Sequence, residues 1–235
     1  MYVAIPKEIN SLEPRVAATP GSVKQIIKSG LKVYVESGAG MNSFISDDEY
    51  QNAGATIINS SKELLSNADI TLKVLPPSNE EIDLLKEKSV FISFCQTTRD
   101  LETVSLLAKK RISAFSMHLI PRTTLAQKMD ALSSQANIAG YKAVLIAASR
   151  LGVYMPLLMT AAGTIRPSKV LILGAGVAGL QAIATAKRLG AQVEAFDVRP
   201  VVKEQVESLG AKFIEVESES NDGVGDGGYA KETSE

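Results

Sequence analysis

Six residues, Gly174-Ala175-Gly176-Val177-Ala178-Gly179, have the glycine spacing that can hold a pyrophosphate group. They directly follow the apolar run 170–173 and open an alanine-rich stretch, which predicts a strand, a tight turn and a helix. Gly174 permits the turn, Gly176 lets the backbone approach a phosphate, and Gly179 lets the helix pack closely on the strand. The start of the helix supplies unbonded N–H groups and a partial positive charge. The segment therefore predicts a dinucleotide-binding turn.

A carboxylate at the end of the next predicted strand supports this interpretation. Asp197 lies eighteen residues beyond Gly179, where an acid accepts hydrogen bonds from the adenosine ribose and repels a 2′-phosphate. Val198 and Arg199 follow it and are assigned to the same ribose site. An arginine can also hold a 2′-phosphate, but the position of Asp197 favours NAD over NADP. A glycine turn with a structural purpose only is the alternative, and the strand, helix and acid together argue against it.

A second group of polar residues crowds into segment 121–135. It consists of Arg122, Gln127, Asp130, Ser133 and Gln135. Asp130 can accept a hydrogen bond from a nicotinamide carboxamide, to which Arg122 and Gln127 can donate. The pattern alone favours a plainer interpretation, a solvated helix start with capping residues.

Acid–base machinery is not evident in the sequence. The single histidine, His118, lies in an apolar surrounding and is interpreted as a residue at the edge of the core rather than a base. With one histidine and one cysteine, the sequence argues against a structural zinc site, and no metal is expected.

Apolar runs alternate with amphipathic stretches and predict parallel sheets with helices on their faces. Strands are predicted at 2–5, 32–35, 55–58, 70–74, 90–94 and 112–115, and helices at 22–29, 60–67, 79–86 and 100–109. Ser60 and Asn79 are the expected helix start signals.

A long helix is predicted at about 134–151, capped by Ser133 or Ser134 and ended by Gly152. Its packing face is expected to comprise Ile138, Tyr141, Leu145 and Ala148. A second β-α-β-α-β series follows, with strands at 170–173, 192–196 and 212–216 and helices at 178–189 and 201–209.

The predicted fold class is α/β, with two Rossmann-like parallel-sheet lobes joined by a long helix and the second lobe incomplete. The domains are 1–125, an interlobe helix and linker at 126–168, and a nucleotide-binding half at 169–235. Residues 215–235 carry seven acids against one lysine and predict a mobile loop or tail. In the usual strand order the strand at 170–173 is central, so an incomplete lobe leaves it an open edge.

Composition excludes several classes of protein. A net charge of −1 gives no attraction to nucleic acid. The uncharged stretch 151–165 is too short to cross a bilayer, so no direct membrane insertion is expected. The single cysteine, Cys95, excludes an internal disulfide and suits a reducing cytoplasm.

Longer segments of the chain resemble the NAD(H)-binding domain I of proton-translocating transhydrogenases. The resemblance covers the whole chain and is most specific in 129–143, 159–164, 174–190, 197–199, 203–210 and 227–231. It implies bound NAD(H), with NADP(H) as co-substrate on a partner component and proton translocation in membrane subunits. It also implies a homodimer and a cytoplasmic location, peripheral to the inner membrane.

The same resemblance implies roles for individual residues. Arg122, Gln127, Asp130 and Ser133 would surround the nicotinamide ring, with Gln127 bridging toward the second nucleotide. Residues 174–179 and Asp197 would hold the pyrophosphate and ribose, and a mobile loop containing Gly228 and Tyr229 would close over the nucleotide.

Two alternatives remain open. One is a non-catalytic fragment, because the family domain is considerably longer than this chain. The other is an alanine dehydrogenase-like enzyme, since Arg15 and Lys73 match the substrate-binding positions of those relatives. Their catalytic histidine would fall near Cys95-Gln96, where this chain has none.

Overall fold

The computed structural model describes residues 1–121 and 123–215 in two compact units. The first unit is Met1–Pro121, and the second begins at residue 122. The prediction of a separate interlobe segment at 126–168 stays a prediction, although the contacts place its long helix within the second unit.

A six-stranded parallel sheet forms the first unit, in the order β3-β2-β1-β4-β5-β6. Its strands are β1 (Tyr2–Ile5), β2 (Lys32–Glu36), β3 (Thr56–Ile58), β4 (Ile70–Leu72), β5 (Val90–Ser93) and β6 (Ser113–Ser116). In the central strand β1, Val3, Ala4 and Ile5 are buried on both faces, as expected for a parallel sheet covered by helices. The strand order reverses between β1 and β4, where doubly wound folds bind their ligands at the carboxyl ends of the strands.

Five helices connect these strands. They are α1 (Pro20–Lys28), α2 (Asp47–Asn52), α3 (Ser61–Asn67), α4 (Asn79–Leu84) and α5 (Leu101–Lys109). The expected cap Ser60 is confirmed, since its side chain accepts a hydrogen bond from the Glu63 N–H. The expectation for Asn79 was wrong: Ser78 caps α4 and forms a capping box with Glu81, so Asn79 is the first helical residue. Helix α2 was not predicted, although Ser46 and Glu49 form a second capping box.

The second unit contains a shorter parallel sheet with the order β11-β10-β9. Its elements are the long helix α6 (Ala131–Arg150), an antiparallel hairpin of β7 (Leu158–Thr160) and β8 (Gly163–Ile165), then β9 (Lys169–Leu173), α7 (Val177–Arg188), β10 (Gln192–Phe196), α8 (Lys203–Ser208) and β11 (Lys212–Phe213). The hairpin was not predicted. The α/β class with parallel sheets is confirmed.

Helix α6 packs on α7 through a face that differs in part from the predicted one. Ile138 is 57% exposed and Tyr141 is 48% exposed, while Gly140 and Val144 are buried. For Ile138 and Tyr141 the prediction was wrong, because the close contact uses a residue without a side chain. Ala148 does pack against the core of this unit, and Leu145 is half-buried. At Gly140 a Cβ would lie 2.0 Å from the Ala178 carbonyl oxygen of α7.

The start of α6 also differs from the prediction. The cap is Asp130, whose carboxylate accepts a hydrogen bond from the Ser133 N–H at 2.9 Å, so Ser133 and Ser134 lie inside the first turn. An aspartate cap satisfies one of the unbonded N–H groups at a helix start, as a serine would. Within residues 1–121 and 123–215, no helix has the length and apolarity needed to cross a membrane.

We expect Gly140→Ala to destabilise the protein. Alanine is normally favoured over glycine within a helix by about 1 kcal/mol, but here the added methyl group would overlap the Ala178 carbonyl and force α6 away from α7. The expected loss is about 1–3 kcal/mol in the free energy of unfolding, measured by denaturant titration.

Gly152→Ala is the matched control, since its added methyl group meets no heavy atom within 4 Å. A Gly140→Ala protein as stable as the wild type would contradict the close packing of α6 on α7.

Candidate functional site

The glycine-rich turn connects β9 to α7. Gly174 has a φ of +93°, a conformation that L side chains rarely adopt. Its N–H donates to the Phe196 carbonyl of β10 at 2.8 Å. A Cβ on Gly179 would lie 1.8 Å from the Gly174 carbonyl oxygen. The turn therefore requires glycine at its first position for the backbone angle and at its last for packing.

The first turn of α7 presents backbone N–H groups rather than side chains. Gly176 is the N-cap residue and makes no side-chain cap. The Leu180 N–H donates to the Gly176 carbonyl at 2.8 Å, so Val177 and Ala178 precede the intrahelical bonding pattern. Around the Cβ position of Gly174 there is open space. These features fit a pyrophosphate, which needs close backbone approach and N–H donors.

Asp197 follows β10, and its carboxylate joins the strand end to the turn. It accepts hydrogen bonds from the Ala175 N–H at 2.6 Å and the Arg199 N–H at 2.9 Å. The Arg199 side chain donates two more, from Nε at 3.0 Å and Nη2 at 3.1 Å. The Asp197 side chain is only 5% exposed. Asp197 thus holds the glycine-rich turn in place.

The charge of Asp197 is stabilised in this setting. Burial by itself raises the pKa of the carboxyl, but the Arg199 guanidinium and the two backbone N–H groups lower it by more, so the net shift is downward. The pKa of Arg199 is raised by the same hydrogen bond. Asp197 is therefore an ionised acceptor whose counter-ion is already present.

The sequence did not predict this pairing of Asp197 with Arg199. Arg199 was expected at the ribose site, or as a partner for a 2′-phosphate, but not as the partner of Asp197 itself. An arginine two residues after an aspartate was the sequence feature that could have indicated the ion pair. Only the turn after β10 brings the Arg199 side chain back onto the Asp197 carboxylate. Val198, between them, is half-buried.

The polar cluster before α6 is brought together only in part. Asp130 and Ser133 are in contact, because the Ser133 hydroxyl donates to the Asp130 carboxylate at 2.6 Å in addition to the backbone N–H. Gln127 begins a short 3₁₀ helix, Gln127–Met129, and its side chain is exposed. Gln135 is half-buried in the first turns of α6. Arg122 lies outside the described residues, as do Gly228 and Tyr229.

Helix α6 lies directly against the helix that carries the glycine-rich turn. Gly140 contacts Ala178, and the Asn137 amide donates to the Gln181 side-chain oxygen at 3.0 Å. The helix capped by Asp130 and the helix capped by Gly176 are therefore one packed pair. A disturbance of α6 would reach the first turn of α7 directly.

In the first unit, Lys73 and Glu8 meet where the strand order reverses. The Lys73 ammonium is 2.6 Å from Glu81 and 3.7 Å from Glu8, and its side chain is 2% exposed. Glu8 accepts hydrogen bonds from the Val74 and Leu75 N–H groups, yet burial raises its pKa. The positive charge of Lys73 is thus already compensated by two acids of the same chain.

Arg15 and His118 surround Phe94 in the same unit. Arg15 forms an ion pair with Glu13 at 2.7 Å and lies over the Phe94 ring, with its guanidinium carbon 5.9 Å from the ring centroid. His118 contacts the edge of that ring at 5.8 Å between centroids, and its Nδ1 is buried without a hydrogen-bond partner. After β5, the buried Cys95 contacts Asp100. The single histidine of the chain is therefore a neighbour of Phe94. The charged partners of Lys73 are Glu81 and Glu8.

Comparisons with known proteins assign both parts of the chain to the same family. The family described as alanine dehydrogenase/PNT, N-terminal domain, matches residues 4–139. The alanine dehydrogenase/PNT, C-terminal domain, matches residues 143–228.

Three relatives illustrate the range of the similarity. An NAD(P) transhydrogenase alpha subunit of Rhodospirillum rubrum is 48% identical over the whole chain, which spans 63% of that protein. A transhydrogenase structure from Sinorhizobium meliloti superposes with a TM-score of 0.89 at 49% identity, over 92% of this chain and 64% of that one. The alanine dehydrogenase of Methanococcus maripaludis is 31% identical over 84% of this chain and 53% of the relative.

The chain therefore spans less than two thirds of the length of these relatives, and it resembles the transhydrogenases more strongly than that alanine dehydrogenase. With matches to the N-terminal and C-terminal domains and 48% identity across its length, the chain belongs to the alanine dehydrogenase/PNT family, as the resemblance of segments such as 129–143 and 174–190 had implied.

Proposed function

We propose that this chain is the NAD(H)-binding component of a proton-translocating NAD(P) transhydrogenase. The observation that carries the proposal is the turn between β9 and α7, locked to Asp197, in a chain 48% identical to a transhydrogenase alpha subunit. In the complete assembly, hydride passes from NADH on this component to NADP⁺ on a partner component. Membrane subunits couple that transfer to proton translocation.

The geometry of the turn supports roles for the residues of the nucleotide site. Gly174, Gly176 and Gly179 allow the pyrophosphate to approach the backbone, and Val177 and Ala178 supply N–H donors at the positive end of α7. Asp197, with Val198 and Arg199, borders the site of the adenosine ribose. Gly228 and Tyr229 lie outside the described residues, and their assignment to the nucleotide site rests on the family resemblance alone.

The nicotinamide end is assigned to Arg122, Gln127, Asp130 and Ser133. When bound, the dihydronicotinamide ring supplies the hydride. Asp130, which contacts Ser133, would accept a hydrogen bond from the ring carboxamide, and Gln127 would orient the ring toward the second nucleotide. Because hydride transfer between nicotinamides moves no proton, these residues position and do not act as acids or bases.

The assembly is also part of the proposal. The partners are the membrane and NADP-binding subunits and a second copy of this chain in a homodimer, without nucleic acid. The component lies on the cytoplasmic side, held at the inner membrane by those subunits. It makes no membrane insertion of its own.

An alanine dehydrogenase-like oxidation is the second candidate, because a relative of that kind is 31% identical and Arg15 and Lys73 occupy the matching positions. The state of Lys73 argues against it, since Glu81 and Glu8 already compensate its charge. Amino-acid oxidation also needs a base, and Cys95-Gln96 supplies none. An assay of L-alanine-dependent reduction of NAD⁺ tests this second candidate directly. Robust turnover would favour the alanine dehydrogenase-like enzyme over the transhydrogenase component.

A non-catalytic fragment that binds nucleotide weakly or not at all is the other alternative. Calorimetric titration of the purified chain with NADH tests binding, and NADH-dependent reduction of an NADP⁺ analogue tests catalysis. The catalytic assay compares the chain alone with the chain plus the membrane and NADP-binding components. Turnover that occurs only when the membrane and NADP-binding components are added supports the transhydrogenase proposal. If no turnover occurs in that mixture, the non-catalytic alternative is favoured.

We expect Asp197→Ala to weaken NADH binding by about 1–3 kcal/mol, because a buried charged acceptor is lost. Titration calorimetry measures the change, and circular dichroism verifies the fold. Glu207→Ala is the matched control, since it removes the same charge from an exposed position on α8. An unchanged affinity in Asp197→Ala would refute the ribose assignment.

We expect Asp130→Asn to lower the rate of hydride transfer by about tenfold or more, equivalent to about 1.4 kcal/mol in the barrier. Asparagine is as good a helix cap as aspartate, so α6 is retained while the charged acceptor is lost. Stopped-flow measurement with the partner components gives the rate. If Asp130 serves only as a cap, Asp130→Asn will match both the wild type and the Ser134→Ala control.

A further inference from the structure

Donors of the chain itself fully occupy the carboxylate of Asp197. An ionised carboxylate has about four lone-pair sites for hydrogen bonds. Two are filled by backbone donors, the N–H groups of Ala175 and Arg199, and two by the Arg199 side chain. A further donor, such as a ribose hydroxyl, therefore has to displace one already present.

The four donors differ in how easily they can leave. The Ala175 N–H belongs to the glycine-rich turn, whose geometry is set by Gly174 and Gly179. The Arg199 N–H is held by the backbone two residues after the acid. Only the guanidinium can leave by side-chain rotation alone.

The position of the guanidinium places it at the nucleotide site. A Cβ built on Gly176 would have Arg199 Nη2 as its nearest heavy atom, at 3.9 Å. The Arg199 side chain is 17% exposed, so it lies over Asp197 and beside the cap of α7 rather than in solvent. The guanidinium therefore borders both the acid and the phosphate-binding turn.

We propose that Arg199 competes with the adenosine ribose for Asp197 and thereby sets the affinity and selectivity of this site. The inference rests on the proposed NAD(H)-binding function. Ribose hydroxyls gain the carboxylate when the guanidinium releases it, so part of the binding free energy is spent on breaking the ion pair. Arg199 is a specificity-determining residue that acts through Asp197.

Selectivity follows from the charge that Asp197 presents. Paired with Arg199, the carboxylate is electrostatically compensated and repels a 2′-phosphate less. Without the guanidinium, Asp197 is a bare anion that excludes NADPH more strongly. Simple loss of a positive charge near the pyrophosphate would weaken NADH and NADPH alike, so the ratio of the two affinities separates competition from general attraction.

The test is titration of the purified chain with NADH and NADPH for the wild type, Arg199→Ala and Arg199→Lys. We expect Arg199→Ala to bind NADH about three- to tenfold more tightly, the equivalent of one or two released hydrogen bonds. The NADH-to-NADPH affinity ratio should rise by a larger factor than the NADH affinity itself. Arg199→Lys keeps the charge but not the forked geometry. Its NADH affinity and its affinity ratio should therefore lie between those of the wild type and Arg199→Ala. Arg188→Ala removes the same charge from an exposed position at the far end of α7 and should leave the ratio unchanged.

Two further measurements distinguish competition from a structural role. Without nucleotide, Arg199→Ala should melt at a lower temperature than the wild type because it loses the ion pair, although it binds NADH more tightly. In an Asp197→Asn background, Arg199→Ala should no longer raise the NADH-to-NADPH ratio. A structural role alone would lower both stability and affinity.

The outcomes also separate this inference from the proposed function. Wild-type binding with NADH affinity unchanged or weakened in Arg199→Ala overturns the competition and leaves the proposed function intact. A gain that persists in the Asp197→Asn background overturns the role of Asp197 in it. A wild-type chain that binds neither nucleotide overturns the proposed function and the inference together.

Discussion

The hydrogen bond from the Ala175 N–H to the Asp197 carboxylate, at 2.6 Å, is the contact on which the candidate site depends. It joins the turn after β9 to the end of β10, two strands that are already paired in register along their length. Because the acceptor is buried and ionised, losing it would leave a buried N–H without a partner. The turn is therefore held in place by the chain's own contacts, as a site that relies on backbone donors requires.

A second constraint on the first turn of α7 is its close packing against α6 and against the glycine-rich turn. The absence of a side chain at Gly140 lets α6 approach the Ala178 carbonyl, and Gly179 lets α7 approach the turn. The first turn of α7 is thus packed between a strand and a helix through residues that have no Cβ. Such close contact fixes the direction of the N–H groups more firmly than larger side chains would, since interiors of this density resist displacement.

Charge compensation by the chain itself recurs in both units. Lys73 is paired with Glu81 and Glu8 in the first unit, and Asp197 with Arg199 in the second. Each buried charge has a partner because an isolated ion in the interior would be strongly destabilising. Where such a pair lies at a binding site, the ligand must offer an interaction that replaces it. That requirement makes a structural ion pair a determinant of specificity.

The sequence by itself determined the features that depend on neighbouring residues. The alternation of strands and helices, the glycine-rich turn after β9 and the position of Asp197 at a strand end all follow from local periodicity and from what glycine alone permits. The tertiary structure decided which face of α6 is buried, which residue caps it, and which donors occupy Asp197. The buried face of α6 and the Ala175 donor depend on partners distant in the chain, since Ala175 lies 22 residues from Asp197. The Asp130 cap and the Arg199 donors are close in sequence, but they depend on how the chain turns at those points. Hydrogen bonds and close packing between such residues exist only after the elements have come together, and no periodic pattern records them.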